Sequence, residues 1–138
     1  MRPNKMEKIE HYINQSKVLL KNANLMVKKQ EYNKAGEMLW GAMTSLLKAI
    51  GIMHNKPIRN HKEIIKVAKF IALIKNDKEL NEAIVNSGQT LHANFYENFL
   101  DLEVFKEHQE KVIKGYNTLF KIILESKVNN KVISDELE

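Results

Sequence analysis

The segment Leu91-His92-Ala93-Asn94-Phe95-Tyr96-Glu97 gathers an imidazole, a carboxamide, a phenol and a carboxylate within two helical turns. Helix interiors seldom collect so many side chains that require hydrogen-bond partners. An imidazole titrates near neutrality, so His92 can move a proton or hold an anion. At about 100° per residue, His92 and Tyr96 share one face, and Asn94 and Asn98 form the adjoining stripe. Gly88, one turn before His92, leaves space on the histidine side. His92, Asn94 and Tyr96 therefore mark either a ligand-facing surface or a buried polar knot that fixes packing.

Two further groups carry chemistry. Glu37 precedes Trp40, the single tryptophan, by one turn. A Glu37 carboxylate beside a histidine would be a tuned acid–base pair, so Glu37, Trp40, Gly88 and His92 define a candidate pocket. Core packing is the ordinary use of such a tryptophan. The loop His54-Asn55-Lys56-Pro57-Ile58-Arg59-Asn60-His61 sets two imidazoles, a guanidinium and an ammonium at one end of the molecule. It continues into Lys62, Lys66 and Lys69, which recur at helical spacing. His54, Lys56, Arg59, His61, Lys62, Lys66 and Lys69 are thus candidates for gripping RNA or another anion at a helix N-terminus. A solvated helix face would use the same residues. No pair shows the His-x3-His or Glu-x2-His spacing of helix-borne metal sites, and the adjacent Glu107 and His108 point about 100° apart. No HExxH, glycine-rich phosphate loop or serine elbow occurs. No metal and no cofactor are expected, which disfavours a metalloenzyme, kinase or hydrolase.

The elements that must hold these groups are helices. The 138 residues fit one domain with a core of its own; 43% are hydrophobic and 28% charged, as in globular proteins. Apolar residues at Ile9, Ile13, Leu20, Ala23 and Val27 predict a first helix over 5–28. Ala35, Met38, Leu39, Ala42, Met43, Leu46 and Ile50 predict a second over 32–50, ended by Gly51. A third should begin at the N-cap Asn60 and carry Ile64, Ile65, Ala68, Ile71 and Leu73 to Lys75. A fourth, capped by the turn Asn76-Asp77, should run over 78–99, and a fifth, capped by Asp101, should reach Lys127. No alternating strand pattern competes. The fold expected is all-α: a five-helix up-down bundle over residues 1–127, followed by a flexible acidic tail over 128–138. The hairpin over 5–50 resembles a tetratricopeptide unit, but no further copy follows, and a solenoid needs about three.

Charge is uneven along the chain. Residues 1–29 carry +5 and residues 59–75 carry +4, while residues 76–138 carry −5, within an overall +5. Such asymmetry suits an anionic partner. There is no cysteine, which removes disulfides, thiolate chemistry and cysteine zinc sites. No apolar run reaches the roughly 18 residues of a membrane span, and the start of the chain lacks a signal-peptide core. A cytoplasmic location away from membranes is the expectation.

Lys34-Ala35-Gly36-Glu37-Met38-Leu39-Trp40-Gly41-Ala42, with Leu46-Leu47-Lys48-Ala49-Ile50, resembles the first helical hairpin of the archaeal PaREP family. His61-Lys62-Glu63-Ile64 and Leu91-His92-Ala93-Asn94-Phe95-Tyr96-Glu97 resemble its later signatures, so the likeness covers about residues 5–125. The resemblance implies membership of the HEPN-like superfamily: helical bundles that often dimerise and serve RNA-directed or toxin–antitoxin systems, some with nucleotidyltransferase-type partners. Catalytic relatives are metal-independent RNases with an arginine followed, after four to six residues, by a histidine. Against His92 those positions are Ser87, Asn86 and Val85, none cationic, and a straight helix sets Asn86 about 120° away from His92. Arg59 and His61 have one residue between them. The resemblance therefore implies a homodimeric binding or partner module. The alternatives are a divergent RNase using His92 with Asn94, Tyr96 or Asn86, and a bundle that binds a small anion near His92.

Overall fold

The computed structural model describes the backbone of residues 3–137 and the side chains of residues 3–127. The expected acidic tail over 128–138 lies outside the described side chains. Five helices follow one another: α1 (Lys5–Lys28), α2 (Tyr32–Met53), α3 (His61–Lys75), α4 over 78–97 and α5 (Leu102–Leu137). No strand occurs among the described residues. The protein is an all-α bundle.

Local chemistry starts most of these helices. Asn4, Asn60, Asp77 and Asp101 each accept a backbone N–H three residues on, from Glu7, Glu63, Leu80 and Val104, at 2.8–3.0 Å. Each bond satisfies an N–H that a helix start otherwise leaves without a partner. Glu63 also reaches back to the Arg59 N–H at 3.2 Å, tightening the entry to α3.

The central element is α2. Its Leu39, Met43, Leu46, Leu47 and Ile50 are all buried, each contributing about 1.5–3 kcal/mol by leaving water. The α1–α2 hairpin turns at Gln30, whose φ is 63°. On another side α4 runs antiparallel to α2, because Asn33 meets Asn94, Glu37 meets His92, and Trp40 and Met43 meet Gly88. α5 runs antiparallel to α1, where Ser16 faces Tyr116 and Glu10 pairs with Lys127.

Four expectations are corrected. The last helix continues to Leu137 rather than ending at Lys127, since neither Gly nor Pro follows Lys127 to stop it. α2 continues through Gly51 to Met53, because the loop beyond folds back and donates the Lys56 N–H to the Gly51 carbonyl at 2.7 Å. α4 stops at Glu97, two residues early, where Asn98 turns left-handed at φ 49°. Leu73 is 82% exposed; the buried stripe of α3 is Ile64, Val67, Ala68, Ile71 and Ala72, a cleaner helical period.

α4 is also not a uniform helix. Residues Glu82–Gly88 form a π-helical stretch between the α-helical segments Lys78–Asn81 and Gln89–Glu97. Wider turns shift the hydrogen-bond ladder and expose carbonyls where the α pattern resumes. Two side chains cover them: the Gln89 amide donates to the Val85 carbonyl at 2.6 Å, and the Thr90 hydroxyl donates to the Asn86 carbonyl at 2.8 Å.

Candidate functional site

Gly88, the last residue of the π stretch, lets α4 press against α2. A Cβ on Gly88 would lie 2.5 Å from Met43 Cε and 2.7 Å from Trp40 Cε3, so only glycine admits the indole here. The space that Gly88 leaves is filled by Trp40, which is 6% exposed.

Trp40 in turn supports two histidines. Its ring stacks on His92 with centroids 5.7 Å apart, and lies 6.0 Å from the ring of His61. The two imidazoles lie nearly parallel, 6.3 Å apart. Tyr96, 70% exposed, meets His92 edge-on at 5.4 Å. α2, α3 and α4 thus each contribute a ring to one cluster, with Tyr96 at its exposed margin.

Hydrogen bonds set the imidazole tautomers. Both carboxylate oxygens of Glu37 lie near His92 Nδ1, at 2.8 and 3.0 Å. A carboxylate only accepts, so Nδ1–H donates and Nε2 keeps the lone pair when the ring is neutral. Glu37 and His92 retain 29% and 33% side-chain exposure, so the pair stands at the edge of water. Gln89 presents its carbonyl oxygen to His61 Nε2 at 2.7 Å while its amide nitrogen binds Val85. His61 therefore donates from Nε2, and its Nδ1 has no partner among the described residues. Such a carboxylate–histidine arrangement can take up or return a proton, or hold an anion as imidazolium.

The structure brings Glu37, Trp40, Gly88, His92, Tyr96 and His61 together. Asn94 does not join them. It is 1% exposed, and its oxygen accepts the N–H groups of Phe99 and Leu100, both at 2.8 Å. Its amide donates to Asn33 at 3.0 Å, and Asn33 donates to Asn98 at 2.8 Å. Asn94 closes the corner between α4 and α5. Asn86 is exposed, with its amide on Glu82 at 3.3 Å, away from the ring cluster.

The basic stretch divides. His54 meets the Phe70 ring at 5.6 Å and the Lys56 ammonium sits 4.7 Å over the same ring, pinning the loop to α3. Arg59, Lys62, Lys66 and Lys69 are exposed. Only His61 of the seven reaches the imidazole cluster.

Three polar residues, Gln89, Ser87 and His108, lie outside the candidates read from the sequence. Gln89 lies one turn before His92 in the same helix, and that spacing was the available signal. Ser87 and His108 share a 3.0 Å hydrogen bond between α4 and α5, with no signal in sequence because they are far apart along the chain. Burial holds the His108 pKa below the ordinary 6.5, with the Lys111 charge adding to the effect and Glu107 opposing it. Ser87 is fully buried and serves packing.

Among the described residues, no three His, Asp or Glu side chains converge as metal ligands, and no helix is long and apolar enough to cross a membrane. No curated protein and no solved structure matches the chain. The model of the archaeal PaREP1/PaREP8 family matches residues 11–115, which span most of the bundle and every residue of the ring cluster; the chain belongs to that family.

Proposed function

We propose that this protein is a HEPN-like helical binding module that engages RNA at the face formed by His92, His61 and Tyr96. The observation that carries the reading is His92 held at Nδ1 by Glu37, with Nε2 free of partners among the described residues and beside an exposed phenol. Exposed rings and imidazoles are surfaces on which unpaired bases stack, and single-stranded RNA is read in that way. Arg59 and Lys62 flank His61 in sequence, and Lys66 and Lys69 continue along α3, a supply of cations for phosphates. Exposed Phe95, Phe99 and Leu102 offer apolar area to a second copy or to a nucleotidyltransferase-type partner, as in a toxin–antitoxin-like pair.

Fluorescence anisotropy with a labelled single-stranded RNA tests this reading across a salt series. Affinity should fall steeply with salt, and by about tenfold or more on charge reversal at Lys62, Lys66 and Lys69. His92→Ala with Tyr96→Ala should weaken binding further by about tenfold, the scale of one lost stacking platform. Affinity indifferent to salt and to all five residues would remove the RNA reading.

The Glu37–His92 bond favours a second reading, metal-independent RNA cleavage. His92 Nε2 would accept the proton of a ribose 2′-hydroxyl as its oxygen attacks phosphorus, and protonated His61 would give a proton to the departing 5′-oxygen. Cleavage in excess chelator that vanishes in His92→Ala and survives in Asn94→Asp would support it; cleavage retained in His92→Ala would end it.

A further inference from the structure

A second concave region lies between the start of α1 and the loop that follows α2. It measures about 610 Å³, and none of its lining residues belongs to the ring cluster. Pockets of roughly 300–1,000 Å³ accept small organic ligands. Tyr12, Ile52, Pro57 and Ile58 supply apolar walls, Lys8 and Lys48 supply ammonium groups, and His11 adds an imidazole.

Lys48 is the informative residue. It is the single charged side chain in residues 38–53, the stretch of α2 that lies mostly in the core. Its ammonium lies 5.7 Å from the Tyr12 ring centroid. Among the described residues neither Lys48 nor Lys8 forms an ion pair. Glu7, the groove's carboxylate, is engaged by the Asn4 amide at 3.0 Å. The groove thus combines a half-buried cation with an apolar body-binding wall.

That wall is built rather than incidental. A Cβ on Gly51 would sit 2.5 Å from the Lys56 carbonyl oxygen, so glycine permits the loop to fold back against α2. Asn55 takes a left-handed φ of 57° and accepts the Lys5 ammonium at 2.9 Å, tying the loop to α1. Lys56 and His54 hold the same loop to Phe70.

We infer that this groove is a binding site for a small amphipathic anion: a carboxylate, sulfonate or phosphate carried on an aromatic or short aliphatic body. The body lies between Tyr12, Ile52 and Ile58, and the charged head meets Lys48 and Lys8. Partial burial makes the Lys48 contact stronger than a surface ion pair, because less water competes for the head group.

Titration of the full chain with 1-naphthalenesulfonate, followed by amide chemical shifts, tests the site. 2-Naphthalenemethanol supplies the body without the charge, and inorganic sulfate the charge without the body. The sulfonate should shift Tyr12, Ile52 and Ile58, and both controls should bind about tenfold or more weakly, the scale of one lost charge-assisted contact. Lys48→Met keeps the stem over Tyr12 and should weaken the sulfonate about tenfold, with Lys48→Arg restoring most of it. Lys8→Gln, at an exposed position, should weaken it about threefold and keeps the test decisive if Lys48→Met unfolds. Equal binding of the neutral body, equal binding of sulfate, shifts centred on Phe95–Phe99, or an unchanged affinity in both lysine variants would each overturn the assignment.

Discussion

His92 and Asn94 stand two residues apart on α4 and face different fates. Asn94 is sealed, and its oxygen and amide bind three groups from Asn33 and the corner after α4. His92 is half-exposed and, among the described residues, makes one side-chain bonded partnership and keeps a ring nitrogen free. A polar side chain that uses its capacity on backbone N–H groups defines the chain path. One that stops short of using it is available to something outside the chain. Number of partners and burial, rather than residue type, separate the two.

The largest effect should follow Asn94→Ala. Two part-buried N–H groups lose their acceptor, at about 1–1.5 kcal/mol each, so unfolding in urea should show a loss of about 2–3 kcal/mol. A loss below about 1 kcal/mol would mean that water replaces the side chain and that the corner is wetter than it looks. Gly88→Ala comes next. Its methyl collides with Trp40 and Met43, and overpacking of this kind costs about 1–3 kcal/mol. It should also change tryptophan fluorescence, since the indole must shift; an unmoved emission spectrum with full stability would show that α4 yields instead.

A smaller effect concerns His108, which contrasts with His92 in being committed to a partner inside the bundle. Its folded pKa lies below 6.5, so the unfolded chain binds the proton more readily. Its contribution to stability is therefore full above pH 6.5 and is lost as the pH falls from there through the lower folded value. His108→Gln should flatten that part of the stability–pH curve; an identical slope in the variant would assign the effect elsewhere. The smallest effect belongs to His92→Ala. Half-exposed ion pairs contribute about 0.2–1 kcal/mol, so thermal stability should hardly move while RNA binding falls. A stability loss matching that of Asn94→Ala would make His92 a structural residue and collapse the distinction.

Much of this arrangement was readable in the sequence. Apolar period and the caps Asn60, Asp77 and Asp101 located the helices, because both signals are local. The composition of Leu91–Glu97 posed an open surface and a polar knot as alternatives, and the fold holds one of each. Which residue took which part was not readable. Asn94 is defined by Phe99 and Leu100 turning back under it, and that turn exists only in the folded corner. His61 reaches His92 because α3 crosses beside α2, a tertiary fact with no spacing to reveal it. Leu73 misled because its apolarity matched a stripe whose phase Val67 and Ala72 set better.

The π-helical stretch Glu82–Gly88 has a consequence for how such a chain can vary. A wide turn amounts to a residue inserted into an α-helix, and removing one residue there restores the ordinary ladder. Because the wide turn takes up that residue, such a deletion would leave everything after Gly88 facing as it does now, with His92 on Glu37 and Asn94 at the corner. A deletion in the α-helical turn between Gly88 and His92 has no such slack: each residue advances a helix by about 100°, so His92 would leave Glu37 and Asn94 would leave the corner. The π stretch is thus where this helix can change length and keep its aim.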